Sequence, residues 1–455
     1  MTAKLECKIL FLVLSASLLT IVYSYRLTHA SAAIVVSVSA SAISTVEYTK
    51  IFASGLSSHI QTSGLDLWLS IITAVIMVLS LISLRYYRSS KSSPALNVLF
   101  TINFLMSVVF FNTQSPFVIY LVFEMSVIPI FLIVLGWGYQ PERVKASYAI
   151  IFYTTISSVP LLSAIRILYL CRPFISPFII EVKGGLSSIS VALSISLTLG
   201  FLVKLPIYGV HLWLPLAHVE APVFGSIILA GILLKLGGVG LIRFSQIVQN
   251  TSWKFACIAI SVVGSVLVGL TCLKTTDLKS VIAFSSVSHI GLVIIIISLR
   301  LKESVWLGFL VMLTHAFSSS IIFFIRYVIY VRTGTRNMLL NKGALANSPH
   351  IRMCWLVATI ASMGTPPFIN LVSEVYSLLI CWNFLGEWML LIVVIFILRR
   401  AFHLVLYRSS QQENRSWDNQ SKLLTGSTNA ITVLRSHSHT ICLVISLLVL
   451  IEIRY

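Results

Sequence analysis

Charge is what this chain has least of. Of its 455 residues only 10% are Asp, Glu, Lys or Arg, and just 14 are acidic. Soluble chains are nearer a quarter charged. With 57% hydrophobic residues and a mean hydropathy of +0.97, this scarcity excludes an ordinary soluble enzyme, a disordered chain and a soluble nucleic-acid binder. Paired cysteines are missing too. The 7 Cys stand at 7, 171, 257, 272, 354, 381 and 442, with no CxxC. They read as small buried hydrophobes rather than a disulfide or metal framework. Catalytic loops are equally scarce. There is no GxSxG and no HExxH, and Gly237-Gly238-Val239-Gly240 lacks the Lys-Ser/Thr of a phosphate loop. We expect no nucleotide, flavin, iron–sulfur or metal site on this chain.

Long apolar runs are what it has. They approach the roughly 17–25 residues that a helix needs to cross a hydrocarbon core. Spans are expected near 8–24, 30–48, 66–84, 96–112, 115–136, 146–169, 187–217, 222–243, 253–273, 278–299, 304–331, 352–383, 385–407 and 436–453. The expected fold is therefore all-α, a polytopic membrane protein of about 14 transmembrane helices. Lys4 and Lys8 precede the first run and Ala30-Ser31-Ala32 follows it, as in a cleaved signal. Because further spans follow without a gap, we read the first as retained.

Two spans are abnormal. The seventh holds Lys204-Leu205-Pro206, Tyr208-Gly209 and Pro215; the twelfth holds Gly364-Thr365-Pro366-Pro367. Proline removes a backbone donor and clashes with the preceding turn. The carbonyls freed need partners, so both spans should break inside protein or beside water. Breaks at corresponding positions of two halves point to inverted repeats around a mid-depth transport site. We expect two inverted five-helix repeats, 96–245 (helices 4–8) and 253–407 (helices 9–13). They are flanked by 1–95 (helices 1–3) and by 408–455 (a polar loop and the last helix).

The formal charge is +18. On a soluble chain this would suggest nucleic acid; in membrane loops it sets orientation. By loop parity the N-terminal side takes about 11 Lys and Arg and the other side about 19, among them Arg85, Arg88, Lys91, Arg332, Arg336, Lys342, Arg399, Arg400 and Arg408. That places the second face in the matrix or cytoplasm and both termini on the opposite side.

Four charges fall inside apolar segments: Glu124, Lys204, Lys235 and Glu374. Each costs roughly 2.5–3.5 kcal/mol at bilayer centre on insertion scales. Lysines near a span end can snorkel to water, but Lys235 sits near the middle of its span. Two readings stand: silent buried ion pairs, or a relay of proton-binding groups, since a desolvated lysine changes protonation readily and a carboxylate opposes the change. His211, His218, His289 and His315 lie in or beside spans 7, 10 and 11 and are candidates for relay or gating. Lys204, His211 and His218 recur every seven residues, although Pro206 and Pro215 interrupt that face. Ser285, Ser286 and Ser288 precede His289, and Ser318, Ser319 and Ser320 follow His315. They read either as helix-packing hydroxyls or as the lining of a water path.

At these residues the chain resembles the antiporter-like subunits of respiratory complex I. Lys204 to Pro222 carries the core signature, continued by Gly225-Ser226 and Leu233-Leu234-Lys235-Leu236-Gly237-Gly238. Thr276-Asp277-Leu278-Lys279-Ser280 with Ser285 to His289 is a second block, Pro366 to Glu374 a third, and Phe123-Glu124 to Pro129 with Trp137-Gly138 and Glu142-Arg143 a fourth. The blocks cover about 120 to 375; beyond them the likeness is one of hydropathy and length. The resemblance implies a proton-pumping membrane-arm subunit of NADH:ubiquinone oxidoreductase. It pairs Glu124 with Lys204, makes Lys235 the central relay lysine and puts Glu374 at the relay's end, where some sister chains carry lysine. It also implies a mitochondrial inner-membrane location. NADH, FMN, iron–sulfur clusters and ubiquinone would belong to the rest of the complex. The partners would be the sister antiporter-like chains and membrane lipid, including cardiolipin, with no nucleic acid. A subunit of a multisubunit cation/proton antiporter is the alternative.

Overall fold

The computed structural model describes residues 64–86, 94–171 and 190–411, except 114, 246, 249, 344, 346–348 and 367. The spans expected near 8–24, 30–48 and 436–453 lie outside it, as do Cys7, Cys442 and the polar stretch beyond 411. Every regular element among the described residues is helical, and an isolated bridge between Asp277 and Asn337 is the β contact they contain.

The helices follow the apolar runs. In chain order they are α1 Gly64–Tyr86, α2 Pro94–Asn112, α3 Pro116–Met125, α4 Val127–Trp137, α5 Arg143–Cys171, α6 Val191–Lys204, α7 Trp213–Glu220, α8 Val223–Ile228, α9 Leu234–Ser245, α10 Thr251–Lys274, α11 Leu278–Leu299, α12 Lys302–Thr333, α13 Pro349–Met363, α14 Ile369–Leu385 and α15 Met389–Gln411. Eight helical stretches among the described residues are long and apolar enough to cross a membrane. Local chemistry sets their ends. Pro116 opens α3, where a missing N–H costs nothing. The Asp277 carboxylate caps α11 by accepting from the Lys279 N–H at 3.0 Å. Gly334 closes α12 in the left-handed region, at φ 68°.

The interruptions position the functional residues. α6 stops at Lys204, residues 205–212 turn, and α7 begins at Trp213. α13 stops at Met363, Gly364 turns at φ 68°, and α14 resumes at Ile369. Two further interruptions fall where the sequence suggests unbroken spans. Ser126 separates α3 from α4, and Leu229–Leu233 between α8 and α9 is a π turn.

The chain divides into two compact units: residues up to Lys204 with Ile232–Asn250, and Leu205–Gly231 with residues from Thr251 on. The first has an aromatic spine in which Phe123 meets Phe110 at 6.2 Å and Phe201 at 5.0 Å, and Phe201 meets Phe244 at 5.0 Å. A Cβ at Gly240 would overlap the Phe201 ring, so the close approach of α9 to α6 depends on glycine there. Arg243 ties the same unit together. It donates to the carbonyls of Phe110 (2.9 Å), Thr113 (2.7 Å) and Phe111 at the end of α2, and pairs with Asp66 on α1 at 2.9 Å. A cation there satisfies carbonyls that the helix end leaves without partners.

In the second unit α10 and α11 pack closely, with Gly291 against Ser265. The end of α7 is held by cations: Lys279 donates to the carbonyls of Val219 (2.9 Å) and Ala221 (2.6 Å), and Arg336 pairs with Glu220 at 3.4 Å. Residues 303–333 are 94% buried over their apolar window, so the histidine and serines of α12 are shielded from lipid.

Candidate functional site

Lys204 is the last residue of α6 and is 1% exposed. Its ammonium donates to the Phe123 carbonyl at 2.8 Å and to the Ser126 hydroxyl at 3.1 Å, and lies 3.6 Å from the centre of the Phe123 ring. The α3–α4 break creates this seat. Pro129 has no N–H for the Met125 carbonyl, where α3 ends, and the Ser126 hydroxyl at the break turns onto the Phe123 carbonyl at 2.7 Å. Glu124 is the next residue along α3. Its carboxylate is half-buried, feels the Lys204 charge and sits beside the Ser158 hydroxyl of α5. The ion pairs within 4 Å among the described residues are Arg243–Asp66, Arg336–Glu220 and Arg399–Glu374. Lys204 and Glu124 are thus neighbours whose charges interact without a direct bond. The sequence reading does not single out Ser126; a serine three residues before Pro129 is the signal it offers.

Lys235 belongs to the same unit and is 3% exposed. It is the second residue of α9, directly after the π turn. Such a turn holds one extra residue, which rotates the helix beyond it by about 100° relative to a continuous α-helix. The π turn ends two residues before Lys235. Nothing in the composition of Leu229–Leu233 announces it.

The second unit gathers a larger cluster. Glu374, on the second turn of α14, is 3% exposed and pairs with Arg399 of α15 at 3.0 Å. The same Arg399 nitrogen lies 2.8 Å from His289 Nε2 and also meets Nδ1. The His289 ring is 5.3 Å from that of His315 and 6.2 Å from that of His403. His403 Nδ1 donates to the Arg399 carbonyl at 2.8 Å, one turn back on α15. Gly364 lies under the Glu374 carboxylate: a Cβ there would come within 2.5–2.6 Å of its atoms. The break between α13 and α14 thus lets the backbone approach the acid. Nearby, Asn370 donates to the carbonyls of Ala361 and Ser362 at 3.2 Å each, which gives carbonyls at the end of α13 a partner.

Arg399 corrects the sequence reading. That reading counts it among the loop cations with Arg400 and Arg408, yet it is 1% exposed and sits mid-helix in α15; Arg400 is exposed. Its spacing of four from His403, inside an apolar span, is the signal that points to it.

His211 and His218 belong to the second unit and Lys204 to the first, and residues 205–212 turn after α6, so the seven-residue recurrence forms no common helix face. His211 occupies the turn before α7. Its Nδ1 accepts from the Gly209 N–H at 3.3 Å and its ring stacks on Tyr208 at 5.0 Å. His218 is fully buried in α7 and stacks on Phe323 at 4.7 Å. Among the serines, Ser285, Ser286, Ser318, Ser319 and Ser320 donate to carbonyls of their own helices. Ser288 is the exception, its buried hydroxyl meeting no acceptor among the described residues. Cys257, Cys272 and Cys381 are buried, and Cys354 is partly so; all four are unpaired thiols.

A family described as NADH:quinone oxidoreductase/Mrp antiporter, TM, matches residues 113–398. NADH-ubiquinone oxidoreductase chain 4 of Ceratitis capitata is 37% identical over 345 residues, 74% of this chain and 75% of that one. Its counterpart in Aedes aegypti is 39% identical over 328 residues, covering 70% and 71%. That of Polypterus ornatipinnis is 35% identical over 372 residues, covering 79% and 80%. A chain from the structure of the membrane-bound sulfane sulfur reductase, an archaeal respiratory membrane complex, superposes with a TM-score of 0.81 at 16% identity, over 97% of this chain and 94% of that one. At that identity the likeness is one of fold.

Proposed function

Because the chain belongs to the NADH:quinone oxidoreductase/Mrp antiporter membrane family, we propose that it is a proton-translocating membrane subunit of a respiratory NADH:ubiquinone oxidoreductase. The observation that carries this reading is the burial of Lys204, Lys235 and Glu374 in apolar helices. Charges so expensive to insert are kept where they do work. The chain 4 names of the relatives favour the oxidoreductase over a subunit of a multisubunit cation/proton antiporter.

In this reading Lys204 takes up a proton while the Glu124 carboxylate balances its charge. A charge change in a neighbouring subunit weakens that balance and releases the proton toward Lys235. Within the second unit His289 and His315 lead to Glu374, the last holding group; His211 and His218 gate access at the broken helix. Each charge moved against the field opposes about 2.3 kcal/mol per 100 mV. We assign no redox centre to this chain, so that energy arrives by coupling. NADH, FMN, iron–sulfur clusters and ubiquinone belong to the other subunits. The remaining parts of the proposal are 14 spans in two inverted repeats, a multi-pass location in the mitochondrial inner membrane with both termini toward the intermembrane space, and contacts with the sister membrane chains and with lipid such as cardiolipin. The breaks at 205–212 and 364–366 support the repeats.

The test is Lys235→Met in the assembled complex. Protons moved per electron should fall while the complex still assembles. Unchanged pumping would remove Lys235 from the relay.

A further inference from the structure

Arg399 stands where two proton-binding groups compete for one cation. Its Nη2 is 3.0 Å from Glu374 Oε1 and 2.8 Å from His289 Nε2. Its other two nitrogens, Nε and Nη1, are buried and meet no acceptor among the described residues. The carboxylate, by ion-pair contact, and the imidazole, by hydrogen bond, therefore share a single guanidinium nitrogen. Around that nitrogen stand Glu374 from α14, His289 from α11, His315 from α12 and His403 from α15, with the Phe396 ring 5.5 Å from the guanidinium carbon. Arg400, the next residue, is exposed and adds a weaker positive field at Glu374.

Arginine keeps its charge at any working pH. With His289 neutral and Glu374 ionised, the guanidinium donates to His289 and pairs with the carboxylate, and acid and cation balance. One added proton has two resting places. On His289 it makes a second cation that can no longer accept from Arg399 and faces it at hydrogen-bond distance. On Glu374 it removes the negative charge, and Arg399 keeps its bond to a neutral His289. Like charges at this separation repel strongly in a site shielded from water. The second arrangement is favoured.

We infer that Arg399 is a positioning residue that makes His289 a poor resting place for a proton and so directs it onto Glu374. This rests on the proposed relay reading. The step transfers one proton from an imidazolium nitrogen to a carboxylate oxygen; no other bond forms or breaks, and Arg399 gives up no proton. His403, bonded to the Arg399 carbonyl one turn back, helps hold this segment of α15 in register.

The experiment compares Arg399→Gln, Arg399→Lys, Glu374→Gln and the double variant Arg399→Gln/Glu374→Gln in the assembled complex. It reads complex content, NADH-driven turnover across pH, and protons moved per electron. Arg399→Gln should lower turnover about tenfold and displace its pH profile, and Arg399→Lys should restore much of both, because a charge but not a fork is retained. Arg399→Gln leaves a buried unpaired carboxylate, so its complex content should drop, and the double variant should regain it. The double variant lacks Glu374 and so reads complex content alone: restored content assigns the loss in Arg399→Gln to the unpaired carboxylate, and a displaced pH profile in the complex that Arg399→Gln does assemble reads routing. An Arg399→Gln enzyme at normal content with an unmoved pH profile would overturn the inference while leaving the relay reading intact. Normal pumping in Glu374→Gln would overturn the relay reading itself.

Discussion

At the scale of single residues, the seat of Lys204 decides what removing its neighbour should do. Deleting one partner of a buried ion pair usually costs about 3–5 kcal/mol, because a bare charge is left behind. Here the ammonium bonds to the Phe123 carbonyl and the Ser126 hydroxyl, and the Glu124 carboxylate acts only through its field. We therefore expect Glu124→Gln to leave complex content near normal and to reduce turnover several-fold. Ser126→Ala should do more structural harm, because a hydrogen bond to a charged group contributes about 1.5–3 kcal/mol. Quantifying assembled complex and NADH oxidation in both variants checks this; loss of assembly in Glu124→Gln with Ser126→Ala unaffected would reverse the assignment. Glu124, Lys204, Lys235 and Glu374 are legible in the sequence, because a charge inside an apolar run stands out without any structure. Arg399 and Ser126 are marked only faintly. A cation toward the end of an apolar run is easily counted with the orienting loop cations despite its spacing of four from His403, and a serine three residues before a proline does not say which carbonyl or cation it will serve.

At the scale of elements, the breaks are legible where backbone chemistry forces them. Pro206 with Gly209, and Gly364 ahead of Pro366, leave a helix no regular path, and the chain turns at 205–212 and 364–366. The π turn at Leu229–Leu233 is not legible, because its residues would make an ordinary α-helix by propensity and only packing selects the wider turn. The break at Gly364 has a consequence that can be measured. A side chain there must hold φ 68° and also enter the space of the Glu374 carboxylate. The left-handed backbone alone costs roughly 1–2 kcal/mol for a residue with a Cβ. Gly364→Ala should therefore displace Glu374 from Arg399. We expect proton pumping per electron to fall below that of the unaltered enzyme even in whatever complex assembles, and Thr365→Ala next to it to leave pumping unchanged. Equal pumping in both variants would show that the carboxylate's position is not fixed by this turn.

At the scale of the whole molecule, the excess of positive charge is the feature with the longest reach. Moving Arg399 from the loops to the interior lowers the richer face's count by one residue, which leaves the imbalance of about 19 against about 11 essentially as it was. The rule counts cations within short loops, and three segments dominate that face: 85–91, 332–342 and the polar stretch after 408. All three should lie on the matrix side, and the two chain ends opposite. An epitope inserted after Gln420, which falls outside the described residues, tests this in the assembled enzyme. In mitoplasts with an intact inner membrane, added protease should leave the epitope uncut, and an epitope at the N terminus should be removed. Opening the inner membrane with detergent should make the first as sensitive as the second. The reverse pattern would turn the protein over in the membrane and exchange the entry and exit ends of any proton path. It would leave the clusters around Lys204 and Glu374 unaltered, because their geometry is set within each unit and not by which compartment each end faces.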